Sequence, residues 1–391
     1  MKQIYLKRGK EESLLRFHPW IFSGAIHHTD DELKDGDTVR VVDANGTFIA
    51  IGHYQMGSIA VRVLTFEDVP IDKNFWRSKL SSAFQMRKAL GLTGNKDGNT
   101  YRLVHGEGDN LPGLIIDIYG QTVVMQAHSI GMHLYRKEIA NALVEVCEGL
   151  ISNVYYKSET TLPFMELENG FLIGGTDENL CIENGLQFRV DWLRGQKTGF
   201  FVDQRENRLL LEKFAKGKLV LNMFCYTGGF SVYAMRGGAQ LVHSVDSSSK
   251  AIELTRDNVQ LNFPDDKRHE AFCEDAFKFL DNIDERVPYD LIVLDPPAFA
   301  KHRGALHNAL KGYTRLNQKA LDKMKPGGIL FTFSCSQVVT KDYFRNAVFT
   351  AAALAKRKVR ILHQLHQPAD HPINIYHPEG EYLKGLVLYV E

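Results

Sequence analysis

The chain has 391 residues, too long for one ordinary core, so two or three domains are expected. Hydrophobic residues make up 44% and charged residues 24%, and 47 basic residues balance 47 acidic ones, so the chain should be soluble and its global charge gives no argument for a nucleic-acid partner. The five cysteines include no CxxC pair, and no His cluster stands at ligand spacing, which argues against a disulfide framework or a metal site and for free thiols in a reducing, cytoplasmic compartment. No apolar run approaches the ~18 residues that a membrane span needs, so no membrane partner is expected.

Residues 1–70 read as all-β. DTVRVVD, TFIAIGHYQ and SIAVRVLTF are short β-rich runs, and Asn45-Gly46 suits a tight hairpin between the first two. Lys2, Lys7, Arg8, Lys10 and Arg16 crowd this segment, and AKRKVR (Ala355 to Arg360) forms a second basic run; each reads as a solvated face.

Residues 71–182 read as a mixed α+β domain. Asn74 to Leu90 has helical apolar spacing, GEGDNLPGLIIDIYGQTVVMQAH is a turn feeding two strands, and a helix is expected from His133 to Glu148 before the strand SNVYYKS. The glycines of Gly106-Glu107-Gly108 predict a turn, because no helix start follows them.

Across residues 183–391 strands and helices alternate. LVLNMF, LVHSVD, EAFCED, YDLIVLD and GGILFTF are the strands, which predicts a doubly wound, Rossmann-like parallel sheet with its ligand outside the carboxyl ends of the strands. The first strand runs into CYTGGFSVYAM, where Gly228 and Gly229 permit a tight turn and a helix begins at once. This is not GxGxxG, which weakens a dinucleotide reading, and RGQKTG is not a P-loop. Asp246 ends the second strand roughly 20 residues beyond that turn, the separation expected of a ribose-binding carboxylate. Asp275-Ala276 follows the third strand and Asp295-Pro296-Pro297-Ala298-Phe299 the fourth. Any one of these acids also suits a helix N-cap. The proline pair stiffens the backbone and removes two donors, leaving carbonyls suited to a base edge.

The order of glycine turn, ribose acid, adenine acid and Asp-Pro-Pro resembles the class I S-adenosylmethionine methyltransferases. The N-terminal runs resemble a PUA domain, a small pseudo-barrel that holds folded RNA. Cys335, at the end of the fifth strand, occupies the place of the nucleophilic cysteine of RNA cytosine-5 methyltransferases. GEGDNLPGLIID, QKTGFFVDQRENR, FCYTGGFS, LDPPAF, FSCS and HPINIYHPEGEYLKG together resemble the bacterial single-cysteine, PUA-containing methyltransferases that form 5-methylcytosine in 23S ribosomal RNA. Ala298 stands where many RNA cytosine-5 enzymes carry a second cysteine.

The resemblance implies S-adenosyl-L-methionine as cofactor and 23S ribosomal RNA, free or in a large-subunit particle, as partner, and it suggests a homodimer. Catalysis would fall to Cys335 and Asp295. Cofactor binding would fall to Thr198, Phe200, Asn222, Phe224, Tyr226, Thr227, Gly228, Gly229, Asp246, Asp275, Ala276 and Asp295, and substrate binding to Pro296, Pro297 and Phe299. Read without the resemblance, Phe200 and Phe201 belong to a core. Three rival readings are an N-methyltransferase on guanine or adenine, a non-catalytic RNA-binding assembly factor, and a nicotinamide dehydrogenase.

Overall fold

The computed structural model describes residues 1–30, 32–283 and 288–391. It divides into two compact units. The first comprises Met1–Gly185, Val190–Val202 and Ala369–Gly380, and the second Leu186–Arg189, Asp203–Pro368 and Glu381–Glu391.

Within the first unit, six strands make one sheet over the N-terminal segment. The three expected runs appear as Thr38–Val42, Phe48–Tyr54 and Ile59–Thr65, joined by Lys2–Leu6, Trp20–Phe22 and Ile26–Thr29. Their inward residues, among them Ile4, Leu6, Val39, Val41 and Val61, form a buried core. A five-stranded sheet follows, with the helices Lys73–Ala89 and Arg136–Val146 contributing Trp76, Leu80, Phe84 and Leu143 to its core. The single helix expected over residues 133–148 is two: Ile130–Leu134, capped by Ser129, and Arg136–Val146. Gly106–Asp109 is one three-ten turn, as the glycine spacing predicts.

The second unit is built on a seven-stranded sheet. Its strands in chain order are β1 (Leu219–Met223), β2 (Leu241–Asp246), β3 (His269–Cys273), β4 (Tyr289–Leu294), β5 (Met324–Ser334), β6 (Val359–Leu365) and β7 (Lys384–Val390). The spatial order is 3-2-1-4-5-7-6, with β7 antiparallel to both of its neighbours. β1 lies beside β2 and β4, so the strand order reverses there and the carboxyl ends of β1, β2 and β4 face a crevice suited to a ligand. Helices follow the strands: α1 (Arg205–Glu212) precedes β1, α2 (Gly229–Arg236) follows it, and α3 (Ser249–Asn262), α4 (Ala276–Asn282), α5 (Leu306–Asp322) and α6 (Lys341–Leu354) come after β2 to β5 in turn. Leu221, Met223, Leu294, Leu316, Leu330 and Leu388 share one buried cluster. Among the described residues no helix is long and apolar enough to cross a membrane.

Candidate active site

β1 runs into a turn whose backbone is held in an uncommon conformation. Phe224, Tyr226 and Gly228 have φ of 58°, 48° and 76°. A bulky residue in the left-handed region is strained by about 1–3 kcal/mol, so the surroundings must hold it there. The restraints are specific. The Tyr226 N–H donates to Asp246 Oδ2 at 3.0 Å, and Thr255 Oγ1 donates to the Tyr226 carbonyl at 2.9 Å. Asn258 Nδ2 donates to the Thr227 carbonyl at 2.9 Å, and the Gly228 N–H closes the turn on the Cys225 carbonyl at 2.8 Å. Thr255 and Asn258 are fully buried on α3, and neither stands out in the sequence.

The two glycines answer to different neighbours. A Cβ at Gly228 would lie 2.7 Å from Thr255 Cγ2, and one at Gly229 2.9 Å from Arg208 Cδ. Close packing of the protein on itself, and not only the approach of a ligand, therefore demands glycine at Gly228, while a side chain at Gly229 would require Arg208 to move.

Asp246 accepts a second backbone N–H, from Ser248, on Oδ1 at 3.0 Å. Each carboxylate oxygen carries a further lone pair, and the residue is half-buried, so it can still accept from a ribose hydroxyl. Asn222, near the end of β1, donates to Ser231 Oγ at 2.9 Å, while its buried Oδ1 has no hydrogen-bond partner among the described residues. Asp275 is the N-cap of α4, its Oδ1 accepting from the Phe277 and Lys278 N–H groups at 3.0 Å each. It remains exposed, with Ala276 buried behind it. The N-cap reading and a cofactor contact are thus compatible at this acid, since the cap occupies one oxygen.

On the other side of β1, the parallel strands β4 and β5 pair Leu294 with Thr332. This register sets Asp295 and Cys335 at neighbouring strand ends, both half-buried. Tyr313 on α5 braces them from below. Its hydroxyl accepts from Ser334 Oγ at 2.9 Å, and burial, with added repulsion from charge on Cys335 and Asp295, pushes the phenol up to about 12. Phe299 lies on the Tyr313 ring with centroids 4.6 Å apart, and Ser336 Oγ ties the same loop through the Ala300 carbonyl. Pro296 is buried and Pro297 exposed.

Cys335 differs from the other thiols of this unit. Cys225 is buried and its thiol is pushed up to about 12 by desolvation, whereas Cys273 is exposed at the end of β3. Behind Cys335 stands a residue that sequence reasoning missed. Lys384, first in β7, pairs with Ser334 across the sheet and donates its ammonium to the Ser336 carbonyl at 2.6 Å.

Thr198 and Phe200 fall in the first unit. Thr198 Oγ1 donates to the fully buried Asp117 at 2.7 Å and meets the Tyr119 hydroxyl at 2.9 Å. Phe200 is core, and its carbonyl accepts from Tyr119. Asp203 lies in a three-ten turn, Val202–Gln204, that leads into α1.

The family model described as S-adenosylmethionine-dependent methyltransferase matches residues 169–377, more than half of the chain, and a PUA-like domain matches residues 4–66. Both match the fold class and the cofactor that the motifs imply. The protein is an S-adenosylmethionine-dependent methyltransferase with an N-terminal PUA-like domain. Ribosomal RNA large subunit methyltransferase I of Shewanella denitrificans is 41% identical, with 99% of each chain covered, and that of Klebsiella pneumoniae is 38% identical over 99% of this chain and 98% of its own. At that identity and coverage the chain belongs to the ribosomal RNA large subunit methyltransferase I family. The fold is shared in full with an S-adenosylmethionine-dependent methyltransferase structure from Streptococcus mutans, at 24% identity and a TM-score of 0.84 over 100% of both chains. A methyltransferase solved with SAH aligns at 24% identity and a TM-score of 0.86, again over 100% of both chains.

The residues present fit this cofactor. An unpartnered buried oxygen on Asn222 and a half-buried acid at Asp246 flank a strained turn at the switch point of the sheet. Among the described residues no group of three metal-ligating side chains occurs.

Proposed function

We propose that this protein methylates C5 of a cytosine in 23S ribosomal RNA, with Cys335 as the covalent nucleophile. The observation that carries this reading is the position of Cys335, half-buried at the end of β5 and beside Asp295 at the end of β4. C5 of cytosine is a weak nucleophile. Addition of a thiolate to C6 places electron density on C5, which can then attack an electrophilic carbon. Bound S-adenosylmethionine supplies that electrophile, a methyl group on sulfonium sulfur. Asp246 holds the ribose, Asp275 the adenine amino group, and Asn222, Phe224, Tyr226, Thr227 and Gly228-Gly229 line the methionine end. Asp295, protonated, donates to N3 of the cytosine as charge develops on the ring. After methylation the C5 proton is lost to solvent, and its bond electrons re-form the ring double bond and expel the sulfur. Pro296, Pro297 and Phe299 keep the loop beyond Asp295 rigid against the base.

A cytosine inside a stacked helix cannot present C6 to a thiolate, so the target is a loop nucleotide or one that flips out. The PUA-like domain grips the RNA through shape and local basic patches, consistent with a chain of no net charge. The substrate is free 23S RNA or a large-subunit particle in the cytoplasm, and the working form is a homodimer.

Nucleoside mass spectrometry of ribosomal RNA methylated by the wild type and by Cys335→Ala tests the reaction. The wild type should form 5-methylcytidine, and the variant should lose at least a thousandfold in rate with its S-adenosylmethionine affinity within twofold of wild type. An N-methylated purine as product, or a variant that retains most of the activity, would overturn the assignment.

A further inference from the structure

Among the described lysines of the second unit, Lys384 alone is buried, at 4% exposure. A buried ammonium is costly unless something nearby calls for its charge. No carboxylate pairs with it among the described residues; its hydrogen bond goes to the Ser336 carbonyl at 2.6 Å. In β7 it lies directly opposite Ser334. The ammonium is therefore held by the residue after Cys335, its strand position lies opposite the residue before it, and the sulfur between them lies within its electrostatic reach. Burial lowers the ammonium to about 8, with charge on Cys335 and Glu381 acting to raise it and Lys341 to lower it. It is thus still mainly protonated near neutrality, and a negative sulfur is what would keep it so.

The groups facing this pocket from each packed element weigh differently on the sulfur. The Tyr313 phenol of α5 is neutral near pH 7 and lies within electrostatic reach of both Cys335 and Asp295. Lys341 on α6 is ion-paired with Glu381, so its charge is largely cancelled. That leaves Lys384 as the cation here that no carboxylate pairs with among the described residues.

We propose that Lys384 is the positioning residue that holds the Cys335 sulfur as the thiolate, both for attack on the base and for departure from the finished product. The inference rests on the reading of Cys335 as nucleophile. On the way in, the S–H proton passes to solvent and the freed pair forms the C6–S bond. On the way out, the C5–H bond breaks with its proton going to solvent, and the electrons of the C6–S bond return to sulfur beside the ammonium. A sulfur stabilised as its anion leaves faster. This gives the single-cysteine site a route to product release with Ala298 in place of a second thiol.

The test is alkylation of the full-length protein by iodoacetamide across pH 5.5 to 9.5, with the Cys335 peptide quantified by mass spectrometry. In the wild type the midpoint should fall at least about one pH unit below the ordinary thiol value of ~8.5. Lys384→Met should raise it to that value or higher, slowing alkylation at pH 7 about tenfold or more, and Lys384→Arg should restore it. S-adenosylmethionine affinity should stay within twofold in both variants. A wild-type midpoint at or above ~8.5, or identical profiles for wild type and Lys384→Met, would overturn the proposal. If Lys384→Met does not fold, the wild-type midpoint and the Lys384→Arg profile still decide, because arginine stays charged and must keep the midpoint low. The readout is independent of methylation. A methylating Cys335→Ala sinks the nucleophile reading whatever the alkylation shows, and a flat alkylation comparison sinks the role of Lys384 with the nucleophile reading intact.

Discussion

The backbone N–H of Tyr226 donates to the Asp246 carboxylate at 3.0 Å, so the acid assigned to the cofactor ribose also fastens the strained turn beside it. In the proposed reading, binding and backbone geometry are coupled at this one side chain. Asp246→Ala should remove the acceptor for two backbone N–H groups and the ribose together. With charge-assisted hydrogen bonds contributing about 1.5–3 kcal/mol each, S-adenosylmethionine affinity should fall at least about tenfold by calorimetry. An affinity within twofold of wild type would remove Asp246 from the site.

Gly228 allows a second test of the same turn. In Gly228→Ala the new methyl meets Thr255 at 2.7 Å while φ stays near 76°. The expected loss is about 1–3 kcal/mol in denaturant unfolding, together with weaker cofactor binding. A variant as stable as wild type would mean that the turn relaxes freely.

Tyr313→Phe removes the acceptor for the buried Ser334 hydroxyl. Stability should fall by about 1–2 kcal/mol with methyl-donor affinity unchanged, because the phenol braces the Cys335 side of the sheet and not the glycine turn. Urea unfolding beside calorimetry checks both halves of that statement.

In the first unit, Thr198→Val deletes a donor to Asp117, which is fully buried and also ion-paired with Arg102. The expected cost is about 1–3 kcal/mol, read as a lowered unfolding midpoint. An unchanged midpoint would show that Tyr119 or Arg102 takes over the vacated lone pair.

Acid should weaken both units. Burial lowers His53 to about 3 and His128 to about 4 in the first unit, and lowers His269 to about 4 in the second. These rings stay neutral when folded, whereas the unfolded chain takes up protons near 6.5. Below that pH the unfolded state binds more protons, so stability falls as pH drops from about 6.5 toward 4. Urea midpoints at pH 7.5 and pH 5 should show it, and equal midpoints would contradict the neutral, buried state of these rings.

What the sequence disclosed follows from how local each signal is. The glycine turn, Asp246, Asp275 and Asp-Pro-Pro were legible because each sits immediately after an apolar strand and answers to its own neighbours. Thr255, Asn258, Tyr313 and Lys384 were not, because each acts on residues far away in the chain, and nothing in its own surroundings marks it. β6 was not foreseen, and the basic run Ala355 to Arg360 reaches only its first two residues, because an edge strand paired on one side needs no apolar alternation and its residues are largely exposed. The strands Trp20–Phe22 and Ile26–Thr29 are too short for alternation to show. Thr198 and Phe200 were proposed from family resemblance, and their side chains prove to be bound up in the packing of the first unit.

β7 comes last of the seven strands in the chain, yet it lies between β5 and β6. After β6 the chain contributes residues 369–380 to the first unit and only then returns to lay β7 into place. Until it does, two strands present bare edges to one another and the lysine behind Cys335 is missing. On the proposed reading of Cys335, the strand that closes the sheet also delivers that lysine, so a chain clipped before β7 should lose methylation and expose two strand edges prone to aggregation.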